Sequence, residues 1–196
     1  GGGINIISLD DFSFTNIQQK QDDVHSFPAN TIYRLYLDSA NNMWAGSIRR
    51  GLIGIRNVFA CSYQNVPFGN LYGLSNQTIN SFFQDSDGMV WVGTDGGGIN
   101  RFDPLTGTFK HYPSTMHEKV VSIVEYTPDE LLFSSFNEGL FIFHKQTGRV
   151  RPFVLVDKET NDRECIDGFS VNIRRVTPDK ILFSGQHIFI YDTTRR

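Results

Sequence analysis

Cysteine is nearly absent from this 196-residue chain: Cys61 and Cys165 stand 104 positions apart in unrelated contexts. That excludes a disulfide scaffold and a cysteine-rich zinc module. No apolar run approaches the roughly 18 to 20 residues that span a bilayer. No stretch of ten residues keeps a helical apolar period between capping residues, so little helix is expected. An excess of either charge is missing too, with 18 Lys and Arg against 21 Asp and Glu and a pI near 5.9. That balance offers no basic surface for nucleic acid, and no nucleic-acid partner is expected. The five histidines (His25, His111, His117, His144 and His187) show no ligand spacing, so neither a metal nor a cofactor is expected. An initiating Met and a signal peptide are also missing, and the chain reads as a piece of something longer.

Phenylalanine (17) and glycine (18) are plentiful, which suits many short strands joined by tight turns. Gly96-Gly97-Gly98-Ile99-Asn100 repeats Gly1-Gly2-Gly3-Ile4-Asn5 letter for letter. Trp44-Ala45-Gly46 recurs as Trp91-Val92-Gly93, 47 residues on. The glycines Gly3, Gly51, Gly98 and Gly139 align at spacings of 48, 47 and 41, and seven residues before the last three stand Trp44, Trp91 and Leu132. Leu182 extends the series, because Thr127–Ser134 matches Thr177–Ser184 at six of eight positions. Periods of this length mark an array of supersecondary units.

Each unit reads as strand throughout. Thr78–Gln84 is a mixed run, closed by the turn Asp85-Ser86-Asp87-Gly88. Met89–Thr94 is nearly all apolar, as in a strand covered on both faces. Asp95–Gly98 turns the chain into Ile99–Phe102, and Asp103–Gly107 turns it again into Thr108–Tyr112. Four short antiparallel strands in about 45 residues describe one propeller blade. The expected fold is therefore all-β, a fragment of a larger propeller occupying residues 1–196 as one partial domain. Its blades fall at 1–20 (partial), 30–65, 76–113, 117–156 and 169–196 (partial), in repeats of 41–50 residues, with segments 65–77 and 156–169 as crossings.

The stretch from Asn76 to Tyr112 closely resembles the two-component-regulator propeller repeat, and Asn30–Gly46 is similar to the same motif. The later copies depart from it, with Leu132 and Leu182 for Trp and with Ser134 and Ser184 for the following Gly. The resemblance implies the periplasmic sensor of a Bacteroides-type hybrid histidine kinase. In that family a propeller region precedes a membrane span, kinase core and response regulator, and senses glycan-derived oligosaccharides. It implies as partners an oligosaccharide, the remaining blades and downstream domains, and a second copy in a homodimer. Kinase chemistry would lie outside this segment, for which no enzymatic activity is expected. Two other readings stay open: a propeller carbohydrate-active enzyme and a protein-interaction scaffold.

The glycine triplets lack the Lys-Ser/Thr and following helix of a phosphate loop, and read as turns. Asp85–Gly88 lacks the later oxygen ligands and bidentate Glu of a calcium loop. Trp44 and Trp91 recur in a buried-looking strand, which favours packing between blades over sugar stacking. Candidate acids such as Asp129, Glu130 and Glu138 are not placed by sequence as a couple. Blade geometry points instead to the loops between second and third strands, where Arg49, Arg50, Thr94, Asp95, Phe136, Asn137, Gln186 and His187 are the candidate ligand contacts. No catalytic residue is assigned. Trp44, Gly51, Trp91, Gly98, Leu132, Gly139 and Leu182 are read as the structural repeat.

Overall fold

The structure is a computed structural model and describes residues 2–19, 27–56, 59–64, 66–156, 163–164, 171–185 and 188–194. Strands β1 (Ile4–Ile7) and β2 (Phe14–Ile17) form a two-stranded sheet. A four-stranded sheet follows, with β3 (Ile32–Leu37), β4 (Met43–Ser47), β5 (Leu52–Arg56) and β6 (Phe59–Tyr63). The next holds β7 (Ile79–Gln84), β8 (Val90–Thr94), β9 (Ile99–Asp103) and β10 (Thr108–His111). A further one holds β11 (Val120–Thr127), β12 (Glu130–Ser135), β13 (Gly139–His144) and β14 (Val150–Pro152). The short pair β15 (Leu155–Val156) and β16 (Arg163–Glu164) precedes a three-stranded sheet of β17 (Asn172–Thr177), β18 (Lys180–Ser184) and β19 (Ile188–Asp192).

Within each sheet, strands pair antiparallel in chain order, so the fold is all-β and built of propeller blades. The helical content among the described residues is one 3-10 turn, Pro113–Thr115. The stretch 156–169, expected as a plain crossing loop, instead takes part in a short ladder: Leu155 pairs with Glu164 and Val156 with Arg163. That ladder gives backbone groups at the two edges of the charged segment a partner, which a loop would have left to solvent.

Adjacent blades meet through their first strands, with β3 beside β7, β7 beside β11 and β11 beside β17. The repeat glycines stitch them together. Gly3, Gly51 and Gly98 all have φ between 72° and 75°, in the left-handed region where a Cβ is costly. Their N–H groups donate to the carbonyls of Asn30, Gln77 and Glu118 at 3.0, 2.9 and 3.1 Å, each on the segment leading into the next blade. A Cβ would also collide with a backbone oxygen, that of Ile17, Tyr63 or Thr115 respectively. The glycine ruler in the sequence is thus a backbone crossing that admits no side chain.

The tryptophans seal the blade faces. Trp91 meets Phe143 of the following blade edge-on, with ring centroids 5.7 Å apart, and stacks on Tyr112 at 5.8 Å. Trp44 likewise meets Phe102 at 5.0 Å. Such pairs contribute about 0.5–1.5 kcal/mol beyond area burial. Each indole N–H donates to the aspartate six residues earlier: Trp44 to Asp38 Oδ2 at 2.9 Å and Trp91 to Asp85 Oδ2 at 2.7 Å. The other carboxylate oxygen closes the hairpin turn. Asp38 Oδ1 accepts from the Ala40 and Asn42 N–H groups, and Asp85 Oδ1 from those of Asp87 and Met89. Six residues before Leu132 and Leu182 stand Tyr126 and Val176. Donor and acceptor are absent together in those blades, and no buried polar group is orphaned by the exchange.

Lys145, on the β13–β14 turn, crosses to the preceding blade. Its Nζ lies 3.1 Å from Asp85 Oδ2 and 2.5 Å from Glu125 Oε1, with its side chain almost wholly buried. Burial pushes the ammonium down, but its hydrogen bonds and charge pairing with Glu125 and Asp85 outweigh this and hold it above its ordinary value. Asp85 is therefore filled by protein donors: two turn amides, an indole and an ammonium.

The two ends of the arc expose positions that are buried elsewhere. Ile7 and Phe14 pair across β1 and β2 as Phe102 and Phe109 pair across β9 and β10. The latter two are 1% and 2% exposed beneath Trp44 and Tyr63, whereas Ile7 and Phe14 are 58% and 70% exposed. At the other end Ile188 and Ile190 hold the places of the buried Leu140 and Ile142 and stand open.

Lys145→Met is expected to lower the unfolding free energy in denaturant by about 3 kcal/mol, since it leaves two largely buried carboxylates without their cation. The acid limb carries a second expectation. Burial raises the Asp38 carboxyl, and its bonds from Trp44, Asn42 and Ala40 outweigh this, so it lies below its ordinary 3.8. A depressed carboxyl contributes stability that is complete above the unfolded value and is lost as pH falls through the folded one. Unfolding midpoints measured from about pH 5 down to about pH 2 should therefore fall less steeply in Asp38→Asn than in the parent.

Candidate functional site at the blade axis

Near the start of the first strand, the ladder between first and second strands slips at the same place in three blades. The register breaks between Ile32 and Arg34, between Ile79 and Ser81, and between Val120 and Ser122. The skipped residues are Tyr33, Asn80 and Val121. A bulge of this kind re-aims a side chain and frees it from the pleat alternation. All three line a cavity of about 560 Å³, together with Arg34, Asp95, Lys119, Phe136 and Asn172. Because first strands are the neighbours across blades, the cavity sits on the inner, axial side of the arc.

One residue further along, Arg34, Ser81, Ser122 and Asn172 occupy equivalent positions, paired with Gly46, Gly93, Ser134 and Ser184. All four line a second cavity of about 170 Å³, which shares Arg34, Val121 and Asn172 with the larger one. Their small partners have a reason. A Cβ on Gly46 would strike Ile79 and Phe82, and one on Gly93 would strike the Ser81 hydroxyl and Val120. Where serine replaces that glycine, Ser134 Oγ donates to the Val171 carbonyl at 2.5 Å across the blade boundary.

The ring of polar side chains is unevenly satisfied. Ser122 Oγ donates to the Ile173 carbonyl and accepts from its N–H, both at 3.0 Å. Ser81 Oγ is buried and has no hydrogen-bond partner among the described residues. Arg34 Nη1 donates to the Tyr33 carbonyl at 3.1 Å, and its guanidinium lies 4.6 Å from the Tyr33 ring centroid. Lys119 Nζ lies 3.9 Å from Asp95 Oδ1 and 5.8 Å from the Phe136 centroid. The Lys119–Asp95 pair is half exposed and contributes no more than about 1 kcal/mol. The site therefore offers two aromatic faces, two cations, one carboxylate and two amides.

Of the loop residues expected at a ligand face, Asp95 and Phe136 line this cavity. Thr94 does not reach it as a contact; it is buried, and its hydroxyl donates to the Gly98 carbonyl at 2.9 Å, as Ser47 does to Gly51. Arg49, Arg50 and Asn137 stand exposed at the turns, outside the lining residues, with Arg49 and Asn137 at φ of 66° and 67°. Gln186 and His187 lie outside the described residues. Sequence reasoning passed over Tyr33, Arg34, Asn80, Lys119, Val121 and Asn172. Their available signal was positional: each lies on or beside a first strand, where flanking Ile32, Ile79 and Val120 repeat while the next residue varies.

The family profile described as "Two component regulator propeller" matches residues 26–49 and 73–96. No curated protein matches the sequence. Among solved structures, the chain is similar to the extracellular domain of a hybrid two-component system from B. thetaiotaomicron, with 18% identity and a TM-score of 0.68 over 94% of this chain and 30% of that one. It is similar to virginiamycin B lyase from Staphylococcus aureus at 14% identity and a TM-score of 0.62, over 97% of this chain and 63% of that one. It is also similar to an auxiliary nutrient binding protein from Bacteroides thetaiotaomicron, at 12% identity and a TM-score of 0.60, over 85% of this chain and 40% of that one. The chain thus spans less than two thirds of each, and likeness at this identity concerns the fold. Residues 26–49 and 73–96 thus match the two-component-regulator propeller repeat, and the other described blades share their antiparallel strand order.

Proposed function

We propose that the chain is an extracytoplasmic sensor-propeller segment of a hybrid histidine kinase and response regulator. It binds a glycan-derived oligosaccharide in the axial cavity, and domains beyond this segment carry the signal across the membrane to a kinase core. The observation that carries this reading is the bulge. In each of three blades, one residue near the start of the first strand is released from the ladder and lines a shared cavity, in a chain with two repeats matched as two-component-regulator propeller. Tyr33 and Phe136 present faces suited to pyranose C–H surfaces, while Asn80, Asn172 and Arg34 supply donors and an acceptor set for hydroxyls.

The arrangement supports binding without turnover. Among the described lining residues Asp95 is the one carboxylate, and it lies 3.9 Å from Lys119 Nζ, whereas glycoside hydrolysis uses a pair of carboxyl groups. Signal relay then rests on a difference in affinity between two arrangements of the blades, since a ligand shifts an equilibrium only by that difference.

A thermal-shift series over oligosaccharides of different linkage tests the reading. A cognate sugar at a hundred times its Kd should raise Tm by about 5–10 °C. Tyr33→Ala and Phe136→Ala should abolish the rise while leaving the sugar-free Tm within about 2 °C of the parent. Chromatography of the same mixtures should return the sugar intact; cleavage would move the chain to the carbohydrate-active enzymes, and no shift with any sugar would remove the sensing role.

A further inference from the structure

The selectivity inferred for the axial cavity rests on its binding an oligosaccharide, and the charges of its lining restrict which one. The outer cavity holds two cations, Arg34 and Lys119, against one carboxylate, Asp95. Lys119 already has Asp95 beside it. Among the described residues no carboxylate lies within ion-pair distance of the Arg34 guanidinium, whose polar contact is the Tyr33 carbonyl. A half-buried guanidinium presents a planar fork of donors that matches a carboxylate in two-point contact. Arg34 also belongs to both cavities, so a group bound there faces the inner wall as well as the rim.

Ser81 supplies the second, independent observation. Its hydroxyl belongs to a residue only 7% exposed, lines the inner cavity and has no partner among the described residues. The equivalent serine of the next blade, Ser122, has both roles of its hydroxyl filled by Ile173. A buried hydroxyl without a partner opposes folding, and its presence calls for an explanation outside the fold.

We propose that the axial cavity selects a carboxylate-bearing oligosaccharide, a uronic-acid sugar, over its neutral counterpart. Arg34 takes the carboxylate, Ser81 takes a hydroxyl of the same residue of the sugar, and Tyr33 and Phe136 cover the neighbouring rings at the rim. Lys119 adds long-range attraction, so the preference weakens as salt shortens the screening length.

Isothermal titration of the chain with trigalacturonate and with its methyl-esterified form decides the matter. The acid should bind at least about tenfold tighter at low ionic strength, with the gap narrowing in about 0.5 M salt. Arg34→Gln should remove most of the gap between acid and ester, leaving only the salt-sensitive remainder from Lys119, and Arg34→Lys should restore part of it. Ser81→Ala should weaken both ligands by roughly three- to tenfold while raising the sugar-free Tm by about 2–4 °C, because it removes an unsatisfied hydroxyl. Equal affinity of acid and ester in the parent overturns the charge selection and leaves the sensor reading standing. Binding of neither, with other neutral sugars still raising Tm, does the same; binding of no sugar at all removes both. A fall in Tm for Ser81→Ala, with unaltered affinity, would make that hydroxyl structural and overturn its assignment.

Discussion

Every blade boundary whose two sides are described near the repeat glycine turns on one backbone hydrogen bond. A glycine N–H leaves the turn between second and third strands and reaches the carbonyl of the segment entering the next blade. The bond needs a left-handed glycine and an approach so close that no Cβ fits. It fixes where each blade starts relative to the last, and the other contacts follow from that placement. Trp44 meets Phe102, Trp91 meets Phe143, and Lys145 meets Asp85 only because the stitch has set the offset. The first strands are brought side by side by the same constraint, which creates the axial wall.

Around that fixed backbone the chain uses different chemistry at successive boundaries. The first complete boundary relies on an aromatic cluster of Trp44, Tyr63, Phe102 and Phe109. The second adds a buried charge network to its aromatics, with Lys145 between Asp85 and Glu125. The third drops the indole and its carboxylate, packs Leu132, Leu140 and Ile142 on Ile181 and Phe183, and adds the Arg175 guanidinium donating to the Glu125 and Tyr126 carbonyls. Burial of apolar area is common to all three; the buried polar side chains named at these boundaries have partners, with Ser81 the exception.

Much of this was legible in the letters. Repeat length, strand order within a blade and the packing role of tryptophan followed from Trp44, Trp91 and the glycine series, because a periodic chain prints its own register. The pairing of Asp38 with Trp44 and of Asp85 with Trp91 was in plain view at a constant spacing of six, yet the hairpin turn that each aspartate opens explains it locally and hides its second task. The site was far less legible. Thr94 stands among the candidate ligand contacts by position, but in the fold its hydroxyl closes a turn by donating to the Gly98 carbonyl. Asn80 and Val121 share one position with opposite polarity, so no pattern of residue type marks it. A bulge is a property of two strands in register, and a single strand's sequence does not announce it.

The slipped residue also bears on how such a site can change. Tyr33, Asn80 and Val121 have no cross-strand partner, and so contribute no pair to the ladder that holds their blade together. A phenol, an amide and an isopropyl group already occupy this one position within a single chain, on one backbone path. The inner wall is thereby written one residue per blade, in an alphabet that the framework leaves open. Recognition can drift from ligand to ligand by exchanging these residues singly, while the stitches and the packed faces between blades stay as they are.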